Sequence, residues 1–330
     1  MISAAPRYTP RPEDPTMSSG HIPHGATIPA PTTTEVSPGI FAYIQLDGSW
    51  FLNNAGCVVG SRSATVVDAT GTEARGRAWR AAVSAITAKP VTTLVNTHHH
   101  ADHTNGNFLF APNATIIAHE RCREEMVASP GFPRTSPLFP GTDFGDCPPT
   151  PPTLTFRDRL TVWVDDLELQ LISIGPAHTS NDIAVWIPER KVLFSGDVLF
   201  NGGTPFTLFG SLAGSLEALD TIEALGAETI VPGHGEVCGP EAIADVRAYL
   251  QFILGVGREG FERGTPPLEL ATALDLGRFA PLHDAERLVP NIHRIYSELK
   301  GEPWGTPLNA GQMFSEMLAY NGGQPLRCFA

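Results

Sequence analysis

Residues Val95 to Asn107 read VNTHHHADHTNGN, and within them His98, His100, Asp102 and His103 form an H-x-H-x-D-H cluster directly after a buried-strand pattern. Neutral imidazoles and carboxylates are the ligands that Zn²⁺ prefers, and a loop leaving a strand can turn alternate side chains toward one point. In an extended register His98 and His100 point together, which leaves Asp102 and His103 to serve a second, neighbouring ion. His99 faces away and reads as a packing or supporting residue. Three further segments each place a ligand type after an apolar run. LELQLISI leads into GPAHTSND with His178, KVLFSGD carries Asp197, and TIVPGHG carries His234 between glycines that let the backbone turn sharply. Together they make five histidines and two aspartates, enough for two ions.

Outward from this cluster, FAYIQ, SWFLNNAGCVVG and SATVVDA are short β-rich runs separated by turn residues, the pattern of an antiparallel meander. Glu73–Ile86 spaces its apolar residues as a helix, and VTTLVN follows as a strand. ATIIA, LTVWV, LELQLIS, IAVWI, KVLFS and TIVP read as strands, Ser215–Leu225 and Glu241–Leu254 as helices. Beyond Gly255 the text is helical to about Leu299 and then loop-rich. Two strand-rich blocks with interspersed helices predict an α/β fold of two sheets packed face to face with helices outside. The Pro-, Gly- and Phe-rich stretch Ser129–Pro152 is too long for an idle connection and reads as a lid or substrate-binding loop. The expected division is a flexible tail over 1–35, a catalytic domain over 36–245, and a helical extension over 246–330 packed on it.

The 330 residues are 42% hydrophobic and 17% charged, so the chain can bury a full core and is not a disordered polymer. A net charge of −13 repels a phosphate backbone or an anionic bilayer, which argues against nucleic acid and membrane partners. No apolar run is long enough to span a membrane. The start, MISAAPRYTPRPEDPT, lacks the apolar segment of a signal peptide, so a cytoplasmic location is expected, and Met17 is a second candidate start. The five cysteines are scattered without a C-x-x-C pair, which predicts reduced thiols.

The ordered ligand set resembles that of the metallo-β-lactamase superfamily over roughly Pro38 to Pro240. The resemblance implies a four-layer αββα sandwich with the metal loops along one edge. It assigns His98, His100 and His178 to a first ion, Asp102, His103 and His234 to a second, and Asp197 to a bridge, the ions being two Zn²⁺ with iron or manganese as other occupants. Bound metal lowers the pKa of water from 15.7 toward ~7. Asp102 and Asp197 are the expected catalytic carboxylates, Asp102 by orienting that water or accepting its proton. The best-known β-lactamases of this superfamily carry Cys or Ser at the bridging position. Asp197 instead matches the glyoxalase II, lactonase and thioesterase branches. The basic cluster that glyoxalase II enzymes use for glutathione has no evident counterpart, since Arg294 and Lys300 stand apart in the sequence.

A narrower resemblance rests on FAPNATIIAHE, TFRDRLTV, GPAHTSNDIAVWIPERKVLFSGDVLF, GTPFTLFGSLAGSLEALD and MLAYNGGQPLRCFA. These strings are similar to the metallo-β-lactamase-fold cyclases of bacterial aromatic polyketide pathways, of the actinorhodin second-ring type. Membership implies aldol ring closure of a poly-β-ketone held as a thioester on an acyl carrier protein, then hydrolytic release. The alternative is a generic hydrolase of thioesters, lactones or other acyl substrates on the same fold. Expected substrate contacts are Trp50 and Phe51 in a first hairpin, Phe139 and Phe144 in the long loop, and Phe206, Leu208 and Phe209 after the bridging aspartate. His119 is expected to cap or pack, Cys238 to pack. A homodimer is a further expectation.

Overall fold

The computed structural model describes residues 28–129 and 131–330. The chain begins with β1 (Thr32–Ser37), β2 (Ile40–Ile44), β3 (Ala55–Val59) and β4 (Ala64–Val67), then α1 (Glu73–Ile86), β5 (Val91–Val95) and the single turn α2 (Ala101–Thr104). There follow β6 (Thr115–His119), α3 (Glu120–Ala128), β7 (Leu154–Phe156), β8 (Arg159–Val164), β9 (Leu167–Ser173), β10 (Ile183–Ile187) and β11 (Val192–Phe200). The last third holds α4 (Leu212–Ala224), β12 (Thr229–His234), α5 (Glu241–Arg263), α6 (Pro267–Ala273), α7 (Leu288–Leu299) and α8 (Ala310–Tyr320).

The strands form a seven-stranded sheet in the order β1-β2-β3-β4-β5-β6-β7 and a five-stranded sheet in the order β12-β11-β10-β9-β8. In the first, β1 to β4 pair antiparallel in chain order, β2 to β4 as the meander reading predicts with residues 45–54 between β2 and β3, and β4 to β7 pair parallel. Parallel neighbours need crossovers, and α1 supplies the one between β4 and β5, as α4 does between β11 and β12.

Alternation along the strands builds the layers. Val67, Val95 and Ile117 face inward and meet Leu169, Leu171, Val185 and Phe194 of the other sheet, while Val66, Leu94 and Ile116 face outward onto Trp79 and Val83 of α1. All nine residues of β11 are buried, as befits a strand covered on both faces. On the outer side of the second sheet, α4, α5 and α7 pack through Leu219, Ile222, Leu250, Ile253, Ile292 and Ile295. The fold is thus the expected αββα arrangement with a helical C-terminal region.

Several boundaries differ from the sequence reading. Residues 32–35, assigned to the tail, belong to edge strand β1, because their backbone pairs with β2 although their side chains are exposed. The part of the tail within residues 1–27 lies outside the described residues. The division at 245/246 falls inside α5, which runs on to Arg263 and stops where Gly264 takes a left-handed φ of 68°. Ser49–Asn54 is a turn rather than a strand, with Phe51 at φ 63°. α8 occupies part of the C-terminal stretch read as loop. No helix among the described residues is long and apolar enough to cross a membrane.

Candidate metal centre

The candidate ligands converge from four places at one end of the sandwich. His98, His100, Asp102 and His103 follow β5, His178 sits in the turn between β9 and β10, Asp197 lies within β11 and His234 ends β12. Ligand sites form where parallel strands end and their loops diverge, and β5, β11 and β12 are all members of parallel pairs. Close approach of β11 and β12 needs Gly233: a Cβ there would stand 1.9 Å from Asp197 Oδ1. Gly235, at φ 92°, then lets the chain leave His234 against the carbonyl of Asn201.

Two overlapping groups result. His98, His100, His178 and Asp197 form one, and Asp102, His103, His234 and Asp197 the other, with the potential ligand atoms of each group within 4.8 Å of one another. Around Asp197 Oδ2 stand the Nε2 atoms of His178 and His234, both at 3.3 Å, and of His98 at 3.9 Å. His103 Nε2 is 3.0 Å from Asp197 Oδ1, and His234 Nε2 is 3.2 Å from Asp102 Oδ2. Two nitrogens or oxygens sharing an ion at 2.0–2.2 Å are about 3–4 Å apart, so the spacing suits a shared ion. His100 turns Nδ1 rather than Nε2 inward, 2.8 Å from His178 Nε2. His98 Nε2 is buried without a hydrogen-bond partner, a cost that a bound cation removes. The residues therefore fit a pair of divalent ions sharing Asp197.

Three of the five imidazoles are aimed from behind by a carboxylate or a carbonyl. Asp68 Oδ2 meets His103 Nδ1 at 2.9 Å, the Phe206 carbonyl accepts from His178 Nδ1 at 2.5 Å, and the Gly48 carbonyl accepts from His234 Nδ1 at 3.0 Å. Such partners fix the tautomer that presents the other nitrogen. Asp182 does the same for the backbone, accepting from the amides of Ala177 and Thr179 on either side of His178. Sequence reasoning missed Asp68 and Asp182; the φ of 58° at Asp68 is visible only in three dimensions.

The two groups differ in charge. Burial, joined by neighbouring histidines, holds His98 and His100 well below the usual imidazole value and brings His178 down to about 4. In the second group burial also lowers, but Asp197 and Asp102 outweigh it and raise His103 and His234. Burial pushes the Asp102 and Asp197 carboxyls up, and His103 and His234 more than reverse it.

Above the ligands opens a cleft of about 480 Å³. Of the residues named as candidate substrate contacts, Trp50, Phe51, Phe139, Phe206 and Phe209 line it. Phe144 and Leu208 do not: both are buried behind the wall, Phe144 packing on Phe51 with ring centroids 4.7 Å apart. Phe132, Met126 and Phe314 also line the cleft and were not foreseen. Phe132 comes from the long loop Ser129–Pro152, which therefore supplies wall residues. His99 lines the cleft too, its Nδ1 2.9 Å from Asn181 Nδ2. His119 caps α3 by accepting from the Arg121 amide, and Cys238 packs with its thiol toward the Ile230 carbonyl, as predicted. All five cysteines are free thiols.

The helical region holds one wall and, through it, a ligand. Asn291 of α7 accepts from the Thr207 amide and donates to the Pro205 carbonyl, and Arg294 donates to the carbonyls of Thr207 and Leu208. These bonds pin the segment that carries Phe206 and the carbonyl facing His178. Arg294 is fully buried and spent on these carbonyls, so it is not a surface anion site.

Known proteins are similar to this chain in sequence or in fold. A relative named 2,4-dinitroanisole O-demethylase subunit alpha, from Nocardioides sp., is 29% identical over 227 residues, 66% of this chain and 61% of its own length. A hydroxyacylglutathione hydrolase from Rhodospirillum rubrum is 33% identical over 46% of this chain and 48% of its own. The chain thus spans about half of these relatives' length. Among solved structures, the inverting sec-alkylsulfatase of Pseudomonas sp. superposes with a TM-score of 0.62 at 18% identity, covering 81% of this chain and 50% of that one, a likeness of fold alone. The superfamily's own sequence model matches residues 48–234, the stretch that runs from the turn behind His234 to His234 itself, and the chain therefore belongs to the metallo-beta-lactamase superfamily.

Proposed function

We propose that this protein is a dinuclear-metal hydrolase of acyl substrates, thioesters or esters, whose acyl group is flat and apolar. The carrying observation is the position of two metal-fitting groups beneath a cleft walled by Trp50, Phe51, Phe139, Phe206 and Phe209. Two of the relatives lend support by name, one a hydrolase of an acylglutathione and the other acting on an aromatic ether. His98, His100 and His178 would hold one ion, Asp102, His103 and His234 the other, and Asp197 both. Zinc is the first choice for this donor set, with iron or manganese as alternatives. When bound, such ions polarise a carbonyl and make water nucleophilic at neutral pH.

The chain's own residues do the rest. Asp102 lines the cleft with 15% of its side chain exposed, placed to orient water or accept its proton. The aromatic walls hold the acyl group and exclude solvent from the carbonyl. The test is turnover of aryl thioesters by metal-loaded protein, before and after chelation. Full activity in metal-free protein would sink the proposal.

The breadth and aromatic lining of the cleft favour a second reading, cyclisation of an aromatic polyketide intermediate followed by release from an acyl carrier protein. An acidic carrier requires arginines at the cleft mouth. Of the described lining residues the sole arginine is buried Arg287, and exposed Glu125 also lines the cleft. The simple acyl hydrolase is therefore the better-supported reading. A carrier-bound poly-β-ketone that is both cyclised and released would reverse that order. A cytoplasmic setting, in keeping with the free thiols, belongs to both readings.

A further inference from the structure

Among the described residues lining the cleft, Arg287 is the only arginine and no lysine lines it. It precedes α7 and is 2% exposed. Its guanidinium lies 4.1 Å over the ring of Trp50, 5.0 Å from that of Phe200 and 5.9 Å from that of Phe206. Nη1 donates to the Thr204 carbonyl at 3.1 Å, and Nη2 pairs with Asp284 at 2.9 Å. Nε is buried and has no hydrogen-bond partner.

Aromatic faces stabilise a guanidinium from above while leaving its donors free around the edge. Trp50 is itself fixed, its Nε1 donating to Glu286 at 2.7 Å, so the cation is held rigidly. A buried N–H without an acceptor is rare, and the guanidinium that carries it belongs to a residue of the cleft wall, where an oxygen of a bound molecule can pair with the guanidinium's edge. Phe200 links the cation to the metal groups: its ring stacks on His234 at 5.1 Å and 11°. Arg287 and the His234 ring therefore lie within about 10 Å, a span that a fused two-ring body bridges.

We propose that Arg287 determines specificity by donating a hydrogen bond to an oxygen on the ring body of the acyl group, remote from the bond that is cut. The substrates are then oxygenated aromatic acyl compounds rather than plain hydrocarbon ones. This rests on the acyl-hydrolase reading above, and goes beyond it by naming the substrate class.

The test compares a 6-hydroxy-2-naphthoyl thioester with the 2-naphthoyl thioester on metal-loaded wild type, Arg287→Lys and Arg287→Met. Equilibrium dialysis of 2-naphthol against naphthalene on the same three proteins accompanies it. Wild type should favour the hydroxylated thioester at least about tenfold in kcat/KM, mostly through KM, because an unpaired buried donor penalises the plain analogue. Arg287→Met should abolish the preference in turnover and in binding, and Arg287→Lys should restore part of it. A wild type without preference in either measurement overturns the proposal, as do variants that lower both substrates in the same proportion. If neither thioester is hydrolysed yet 2-naphthol is preferred by wild type and not by Arg287→Met, the hydrolase reading fails and the recognition role stands.

Discussion

The floor of the cleft holds three of its histidines by a polar atom behind each ring, Asp68 for His103, the Phe206 carbonyl for His178 and the Gly48 carbonyl for His234. The walls are held by ring on ring: Trp50 against Phe139 and Phe206 at 5.7 and 5.3 Å, and Phe51 against Phe132, Phe139 and Phe144 at 4.7–5.2 Å. Hydrogen bonds are directional and costly to lose when buried, whereas aromatic packing tolerates exchange of one apolar shape for another. The floor lies within the stretch that matches the superfamily, and part of the wall, Arg287 and Phe314, lies beyond it. On the acyl-hydrolase proposal, chemistry would rest on the floor and choice of substrate on the wall, the two meeting at Phe206, whose ring lines the cleft and whose carbonyl aims His178.

Substitutions should divide along that line. Asp197→Ala removes the carboxylate common to both groups and should bring metal content and turnover to background, read by elemental analysis beside an assay. Metal retained at two equivalents would break the shared-ligand picture. Asp68→Asn keeps its shape but weakens the hold on His103, and should cost about 10–100-fold in metal affinity by competition with a chelator.

Acid should act on the same floor. Since Asp197 and Asp102 raise His103 and His234 against the effect of burial, these rings hold a proton more tightly in the metal-free protein than a free imidazole does, and ion binding must displace it. Affinity should therefore rise with pH, by about tenfold per unit for each proton released below the raised values. Calorimetry in buffers of different ionisation enthalpy counts those protons; a pH-independent uptake would contradict the charge asymmetry of the two groups. The smallest effect belongs to the wall. Phe206→Leu should raise KM about 3–10-fold, the worth of one aromatic contact, with kcat and metal content nearly constant. A loss of metal in that variant would show that wall and floor are not separable after all.

The floor was legible in the sequence because ligand types are few and their spacing after strands is constrained: all seven candidate ligands converge as the H-x-H-x-D-H cluster and its three companions imply. The helix over Glu73–Ile86 was legible for a similar reason, its period matching a single buried face through Trp79 and Val83. The wall was only partly so. SWFLNN has the composition of a strand, yet its aromatic residues pack onto other loops rather than pair in a sheet. Met313 and Met317 of α8 carry a helical spacing that surrounding glycines and prolines obscured. The contact of Trp50 with Glu286 and Arg287 joins residues more than two hundred positions apart, beyond the reach of any local pattern.

The clasp of Asn291 on Thr207 and Pro205 sets an order of events during synthesis. A chain leaves the ribosome N-terminus first, so His178 and the segment with Phe206 emerge well before α7. Until α7 docks, the hydrogen bonds that anchor the segment whose carbonyl aims His178 are unmade. On the dinuclear reading, ion capture at the group that includes His178 is therefore expected to favour the finished polypeptide over a nascent chain.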